Sequence, residues 1–398
     1  MKKTNLTLAA LAFGAASAQS ALAEDSVNVG VLQSLSGTMA ISEVTVKNAE
    51  VMAIDEINAA GGVMGHQIKA IVEDGASDPA IFAQKATKLI ENDKVATVFG
   101  GWTSASRKAM LPVFERTDNL LWYPVQFEGN ECSANIMYSG AQPNQQILPA
   151  YEWAKAQGDK SIFLVGSDYV FPRTANLIVK KHIAEDGLTM AGEEYVPLGG
   201  TDFSAVIAKI RAAKPDIIFN TLNGDSNVSF FKQLAASGIT LEDTPVMSFS
   251  IAEQEAQAMG TKLVAGSYAA WNYFETLPGE ANEKFVDAYR AKFGADAAIT
   301  DPMLHGYLDV YAWKAAVEKA GSFDADAVRK AAVDLDVATP MGDVAFAPNQ
   351  SLTQTAYVGK LDDKGKFDIV WKSEGEIAPE PYDALTFPGK SCDLSATN

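Results

Sequence analysis

The chain has 398 residues, 47% hydrophobic and 21% charged. That is the composition of an ordinary globular protein with room for two domains of about 100–200 residues each. Its 32 basic and 50 acidic side chains leave a net charge of −18, which argues against nucleic acid and anionic membrane surfaces, because both select basic patches.

Residues 1–23 read as an export signal and stand apart from the fold. Lys2 and Lys3 precede an Ala-rich apolar run over 6–16, and Ala21, Leu22 and Ala23 form an A-x-A cleavage site. The mature chain is expected to begin near Glu24 and to work in the periplasm. No later stretch approaches the ~18 unbroken apolar residues of a membrane span. Cys132 and Cys392 are either one bridge closing a long loop or two free thiols. Export favours the bridge, since an unpaired thiol is a liability in an oxidising compartment.

Strands and helices then alternate, as in parallel sheets covered on both faces. Residues 27–32 read as a strand, 33–39 as a polar loop at its carboxyl end, and 43–58 as a helix ended by Gly61 and Gly62. A second strand spans 68–73, and Asp78-Pro79 opens a helix running to about Glu91. The apolar run 95–99 is a buried strand, turned by Gly100 and Gly101 into a helix that Thr103 or Ser104 can cap. Such a junction points free N–H groups into the crevice beyond the sheet, where ligands of open parallel sheets sit. Trp102, Thr103, Ser104 and Ser106 would line it. A short strand at 119–123 closes this series.

A second series of similar size begins near Pro143. Helices are expected at 145–157, 174–186, 203–213 and 230–237, and strands at 161–165, 189–195, 216–221 and 245–249. Polar loops follow the strands at 166–173, 222–227 and 250–253. Helices at 280–293 and 302–320 come next. The tail carries strands at 355–361 and 367–371 joined by a turn at 362–365, and Pro379, Pro381 and Pro388 give it an extended finish.

No catalytic constellation assembles. His66, His182 and His305 have no metal-ligand spacing. His66 and His182 read as solvated, and Asp301 and His305 share a helix face. Gly224-Asp225-Ser226 resembles a nucleophile turn, but Val228 breaks G-x-S-x-G. No P-loop or G-x-G-x-x-G is present. The chain is expected to be no enzyme and to need no cofactor or metal.

Residues 101–108 (GWTSASRK), 111–115 (LPVFE) and 122–129 (WYPVQFEG) resemble the urea-binding branch of the type I periplasmic binding proteins. Residues 140–146 (GAQPNQQ), 166–169 (GSDY) and 221–234 (TLNGDSNVSFFKQL) continue the likeness, which runs from about Val27 to Leu394. Relatives in that family include branched-chain amino-acid binders and the amide sensor that regulates an aliphatic amidase.

The resemblance implies an α/β fold of two Rossmann-like lobes joined by a three-strand hinge. One lobe holds 24–142 plus 274–345, and the other 143–273 plus 346–386. The tail 387–398 packs on the first lobe, bringing Cys392 towards Cys132. The implied function is capture of urea for an ATP-driven permease in the inner membrane, with no insertion into the membrane. A short-chain amide (acetamide or formamide) carrier, an amide sensor and a secreted amide hydrolase are the alternatives.

The resemblance places Ser104, Tyr123 and Tyr169 in the ligand pocket. Trp102 and Val125 stand where the amide sensor has Tyr and Thr, and Asn223 where it has an apolar residue. Glu253 corresponds to a position that receives the ligand's amino group in the amino-acid binders. Urea's oxygen suits the 101–104 amides and the Ser104 hydroxyl, and its four N–H groups need acceptors such as Tyr123 and Asn223. Asn223 is expected to favour urea over acetamide, whose methyl would leave a buried acceptor unpaired.

Overall fold

The computed structural model describes residues 26–394. The expected export segment 1–23, the start near Glu24 and residues 395–398 lie outside the described residues. In the first sheet, β1 (Ser26–Gln33), β2 (Gln67–Asp74), β3 (Val98–Gly100), β4 (Leu121–Tyr123) and β5 (Ile136–Tyr138) lie in the order β2-β1-β3-β4-β5. Every neighbouring pair is parallel. Helices α1 (Ala40–Ala59), α2 (Pro79–Thr87) and α3 (Ser104–Thr117) connect them.

The second sheet repeats the scheme. After α4 (Ile147–Gln157) come β6 (Ser161–Ser167), α5 (Val170–Glu185), β7 (Thr189–Val196), α6 (Ser204–Ala213) and β8 (Ile217–Thr221). Then follow α7 (Ser226–Ala236), β9 (Val246–Ser248), α8 (Glu253–Met259), α9 (Thr261–Val264) and β10 (Tyr268–Trp271). The parallel order is β7-β6-β8-β9-β10. The chain next builds α10 (Glu280–Phe293), α11 (Asp301–Ala320), α12 (Ala325–Ala332) and a short ladder of β11 (Val337–Thr339) and β12 (Gly342–Val344). Finally β13 (Tyr357–Leu361) and β14 (Phe367–Lys372) add antiparallel to the β10 edge. This is the type I periplasmic binding fold.

Both faces of the central strands are buried, so β3, β4, β6 and β8 are largely apolar, while the edge strands β2, β7 and β14 carry exposed polar residues. Val98, Leu121, Tyr123, Ile136 and Tyr138 point to one face with Met110, Phe114, Tyr289 and Met303. Phe99, Trp122 and Met137 point to the other, against Trp313, Ala316 and Val317 of α11. In the second sheet Phe163, Ile218 and Val246 alternate in the same way with Ile162, Leu164, Ile217, Phe219 and Met247. This is the period-two geometry of a strand.

Three polar crossings join the two sheets. Ser139, Gln142 and Gln145 belong to the first, Asn272 to the second, and Ser351, Leu352 and Gln354 to the third. Gln142 Nε2 donates to Ser351 Oγ (2.8 Å), and Gln145 Nε2 to the Leu352 carbonyl (2.8 Å). Asn272 Nδ2 donates to the Thr355 carbonyl (2.9 Å), and Gln354 Nε2 to the Ser139 carbonyl (2.9 Å). His305 of α11 sits among them with one ring nitrogen 2.7 Å from Gln354 Oε1 and the other 3.1 Å from Asp301 Oδ1. Burial opposes its charge, yet Asp301 lifts it to about 9.

Cys132 and Cys392 are bonded, with Cα atoms 5.4 Å apart. The stretch leading to Cys392 is anchored on the way. Asn144 Nδ2 donates to the Ala378 carbonyl (2.8 Å), and the amide of Asn130 to the Pro381 carbonyl (2.6 Å). His182 lies 3.1 Å from Asp383, and His66 packs edge-on against Phe323, so both have partners rather than solvent alone. The strand expected at 95–99 is ordered at Val98–Gly100, and β5 and β10 were not expected. Among the described residues no helix is long and apolar enough to cross a membrane.

Candidate ligand-binding cleft

The loops after β1, β3 and β4 meet those after β8 and β9. Hydrogen bonds between these loops and their helices cross from one sheet to the other. The Asp225 amide donates to Thr38 O and Oγ1 (3.2 Å each), and Ser42 Oγ to Glu255 Oε1 (2.6 Å). Trp102 Nε1 donates to Asn223 Oδ1 (3.1 Å), and Gln126 Nε2 to the Phe249 carbonyl (2.6 Å). Contact at the first link is close: Gly224 has φ +63°, and a Cβ there would lie 2.6 Å from the Thr38 carbonyl oxygen.

The β3–α3 turn depends on glycine. Gly100 has φ +132°, and a Cβ on it would meet the Leu32 carbonyl oxygen at 2.1 Å. Beyond the turn Thr103 caps α3, its Oγ1 accepting from the Ser106 amide at 3.1 Å and pairing with Ser106 Oγ at 2.8 Å. Thr103 thus serves the helix. The Gly101 amide donates to the Leu32 carbonyl (2.9 Å), which removes it from the donors expected for a ligand oxygen. Within the first turn of α3 the Ser106 amide is taken by Thr103, so the Ser104 and Ala105 amides keep that role.

Beneath the turn lies a buried ionic network. Arg107, fully buried, donates from Nε to Glu131 (2.7 Å), from Nη2 to Glu128 (3.1 Å) and from Nη1 to Ser104 Oγ (2.9 Å). Its guanidinium stacks on the rings of Tyr123 and Phe127, 5.0 and 4.5 Å from their centroids. Lys108 adds a contact to Glu131 at 2.8 Å. Burial would raise the Glu131 carboxyl, but Arg107 and Lys108 hold it down at about 2.

This network fixes what the nearby hydroxyls can do. Ser104 donates its proton to Glu128 Oε2, and Tyr123 donates to the Trp102 carbonyl. Each therefore offers a ligand a lone pair rather than a proton, which corrects the expected donor role of Ser104. One lone pair of Asn223 Oδ1 is likewise taken by Trp102, and its Nδ2 donates to the Thr221 carbonyl (3.2 Å).

The structure brings Trp102, Ser104, Tyr123 and Asn223 into one bonded group and packs Val125 in the same core cluster as Trp102 and Tyr123. Tyr169 approaches from the second sheet. Burial raises its phenol, and the Tyr123 and Glu128 charges add to that. Glu253 is tied elsewhere: its Oε1 accepts from the Glu275 amide (3.3 Å) at the second crossing, and burial pushes it up to about 8.

The charged residues Arg107, Glu128 and Glu131, the cross-link donor Gln126, and Glu43 were not expected in the site. A signal existed for Glu43. It falls with Glu50 on the apolar stripe of α1 that carries Val46, Ala53 and Ile57.

Residues 27–387 match the family model described as a periplasmic binding protein domain. The chain belongs to that family. It is 25% identical over 342 residues to the Leu/Ile/Val-binding protein BraC3 of Rhizobium johnstonii, covering 84% of this chain and 91% of that one. It is 26% identical over 331 residues to a leucine-, isoleucine-, valine-, threonine- and alanine-binding protein of Pseudomonas aeruginosa, covering 82% and 87%. A solved periplasmic binding protein from Burkholderia mallei superposes with a TM-score of 0.81 at 19% identity, covering 92% of this chain and 98% of that one. A solute-binding protein from R. palustris in complex with 4-hydroxybenzoate gives 0.77 at 22%, covering 89% and 98%.

Proposed function

We propose that this binding protein is the periplasmic solute-capture subunit of an ATP-driven importer and that its ligand is urea. Within the described residues its lobes are 26–142 plus 274–345 and 143–273 plus 346–386, with 387–394 strapped to the first, and it performs no chemistry on its cargo. One observation carries the choice of ligand. With Trp102 bonded directly to Asn223 across the cleft, Ser104 and Tyr123 have given their protons to protein acceptors, so what either hydroxyl has left to offer is an acceptor lone pair. A small neutral molecule rich in N–H groups suits such a wall. Its single oxygen would sit at the first-turn amides of α3.

The relatives named for branched-chain amino acids favour a second reading, a zwitterionic amino acid. A ligand carboxylate would there meet the buried Glu128 beside Ser104, which stands against it. Calorimetry on the mature protein with urea, acetamide, formamide and leucine decides. Urea is expected to bind tightest, with no ammonia released. Saturable binding of leucine with none of urea would overturn the proposal.

A further inference from the structure

The first turn of α1 carries a carboxylate that the family-level reading does not use. Glu43 is 1% exposed. Its Oε2 accepts from the Ser34 amide, and its Oε1 has no hydrogen-bond partner among the described residues. A buried carboxylate oxygen left in this state is costly unless a donor reaches it.

Its position says where that donor comes from. Glu43 stands beside two of the cross-cleft links, since Thr38 bonds Asp225 and the adjacent Ser42 bonds Glu255. Ser34, which holds its other oxygen, follows the carboxyl end of β1, the strand whose Leu32 carbonyl anchors the Gly101 amide of the β3–α3 turn. Glu43 therefore stands at the edge of the cleft where β1 ends, next to the turn that carries Ser104 and to the residues that bond across to the second sheet.

We infer that Glu43 Oε1 accepts an N–H of the bound ligand and so selects neutral amide- or urea-like molecules over acids. This rests on the urea reading above and adds a charged acceptor to the neutral ones it already has at Ser104 and Tyr123. Anionic ligands are disfavoured wherever this carboxylate is ionised, because their oxygens would then face it without a proton between them. Gln33 Oε1 and Glu50 Oε2 are also buried without partners, but Gln33 Nε2 and Glu50 Oε1 bond each other at 2.8 Å, deeper along α1.

The inference has a signature that a structural role lacks. Burial pushes Glu43 up to about 8, the Ser34 amide opposes this, and Asp74 adds to it. The other titratable groups around it are Glu50 and Lys47 on its own helix, Tyr169 across the cleft, and Glu255 bonded to the neighbouring Ser42. A ligand N–H binds the ionised carboxylate better than the acid. Urea binding then expels a proton near neutral pH, and affinity rises with pH until about 8 and levels off above it.

The test is calorimetry of the mature protein with urea between pH 6 and 9, in buffers of differing ionisation enthalpy. For Glu43→Gln, whose amide oxygen can keep the Ser34 bond, the expected result is at least ~10-fold weaker urea binding, no proton release and a flat pH profile, with an unchanged melting profile. Wild-type affinity restored in Glu43→Gln, or wild-type binding without proton release and independent of pH, overturns the inference. The wild-type readout decides even if the variant fails to fold. If the wild-type protein does not bind urea at all, the functional proposal fails instead.

Discussion

The two edges that face each other across the cleft are built from different chemistry. The first-sheet edge is ionic: Arg107, Lys108, Glu128 and Glu131 form one buried network under the α3 turn, with Glu43 and Glu50 nearby on α1. The second-sheet edge is built mainly of amides and hydroxyls, with Glu253 and Glu255 as buried carboxyls but no buried cation paired to them at hydrogen-bond distance among the described residues. Asn220 Nδ2 bonds Asn227 Oδ1 (3.0 Å) and Ser248 Oγ (3.2 Å), and Asn227 Nδ2 bonds the Leu222 carbonyl (3.0 Å). Buried ion pairs fix geometry at a high cost of disruption, whereas amide networks are individually worth about 1 kcal/mol. The contrast teaches a division of labour. On the function proposed above, the first edge is the pre-set wall and the second the cover that closes on the ligand.

The contrast breaks if the ionic edge proves dispensable. Arg107→Ala leaves Glu128 and Glu131 buried with their main cation gone. It should cost about 3–5 kcal/mol in denaturant melts. A loss no larger than that from a neutral substitution at Asn220 would erase the distinction.

Acid should expose the same asymmetry. Glu131 is held at about 2 against an ordinary 4.5, so the folded form binds fewer protons than the unfolded one. Its stabilisation is present above ~4.5 and is lost as pH falls through about 2, on the order of 3 kcal/mol. Arg107→Ala should flatten that acid limb in melts followed by circular dichroism.

Gly224→Val acts on the cover alone. Its side chain would strike the Thr38 carbonyl at positive φ, so urea affinity should fall by about 10-fold or more while the melting of the first lobe changes little. The smallest effect is expected from Asn223→Val, which removes the Trp102 link for roughly 1 kcal/mol, or about 5-fold in affinity. If the urea-to-acetamide preference is also unchanged in that variant, Asn223 closes the cleft without selecting the ligand.

How much of this was legible in the sequence follows from range. The alternation of strands and helices, the Gly100-Gly101 turn and the Thr103 cap are local and could be read. β5 and β10 have three and four residues, too few to show a period, and they were missed. Trp102 and Ser104 follow from the strand-end turn and Tyr123 and Asn223 from the resemblance; the four lie in one bonded group, but their hydrogen-bond roles were not readable. Ser104 is turned into an acceptor by Glu128, 24 positions away, and Trp102 meets Asn223 across 121. No local pattern encodes which lone pair such distant partners leave free.

The bond between Cys132 and Cys392 spans 260 positions. A covalent loop of that size lowers the disorder of the unfolded chain by an amount worth about 5 kcal/mol. The same bond fastens a stretch that is held from three further directions, by Asn144 at Ala378, by the Asn130 amide at Pro381 and by His182 at Asp383. Because Cys132 precedes the first crossing, Asn144 lies within it and His182 beyond it on α5, the tail is a clasp that ties both sides of that crossing to one short segment.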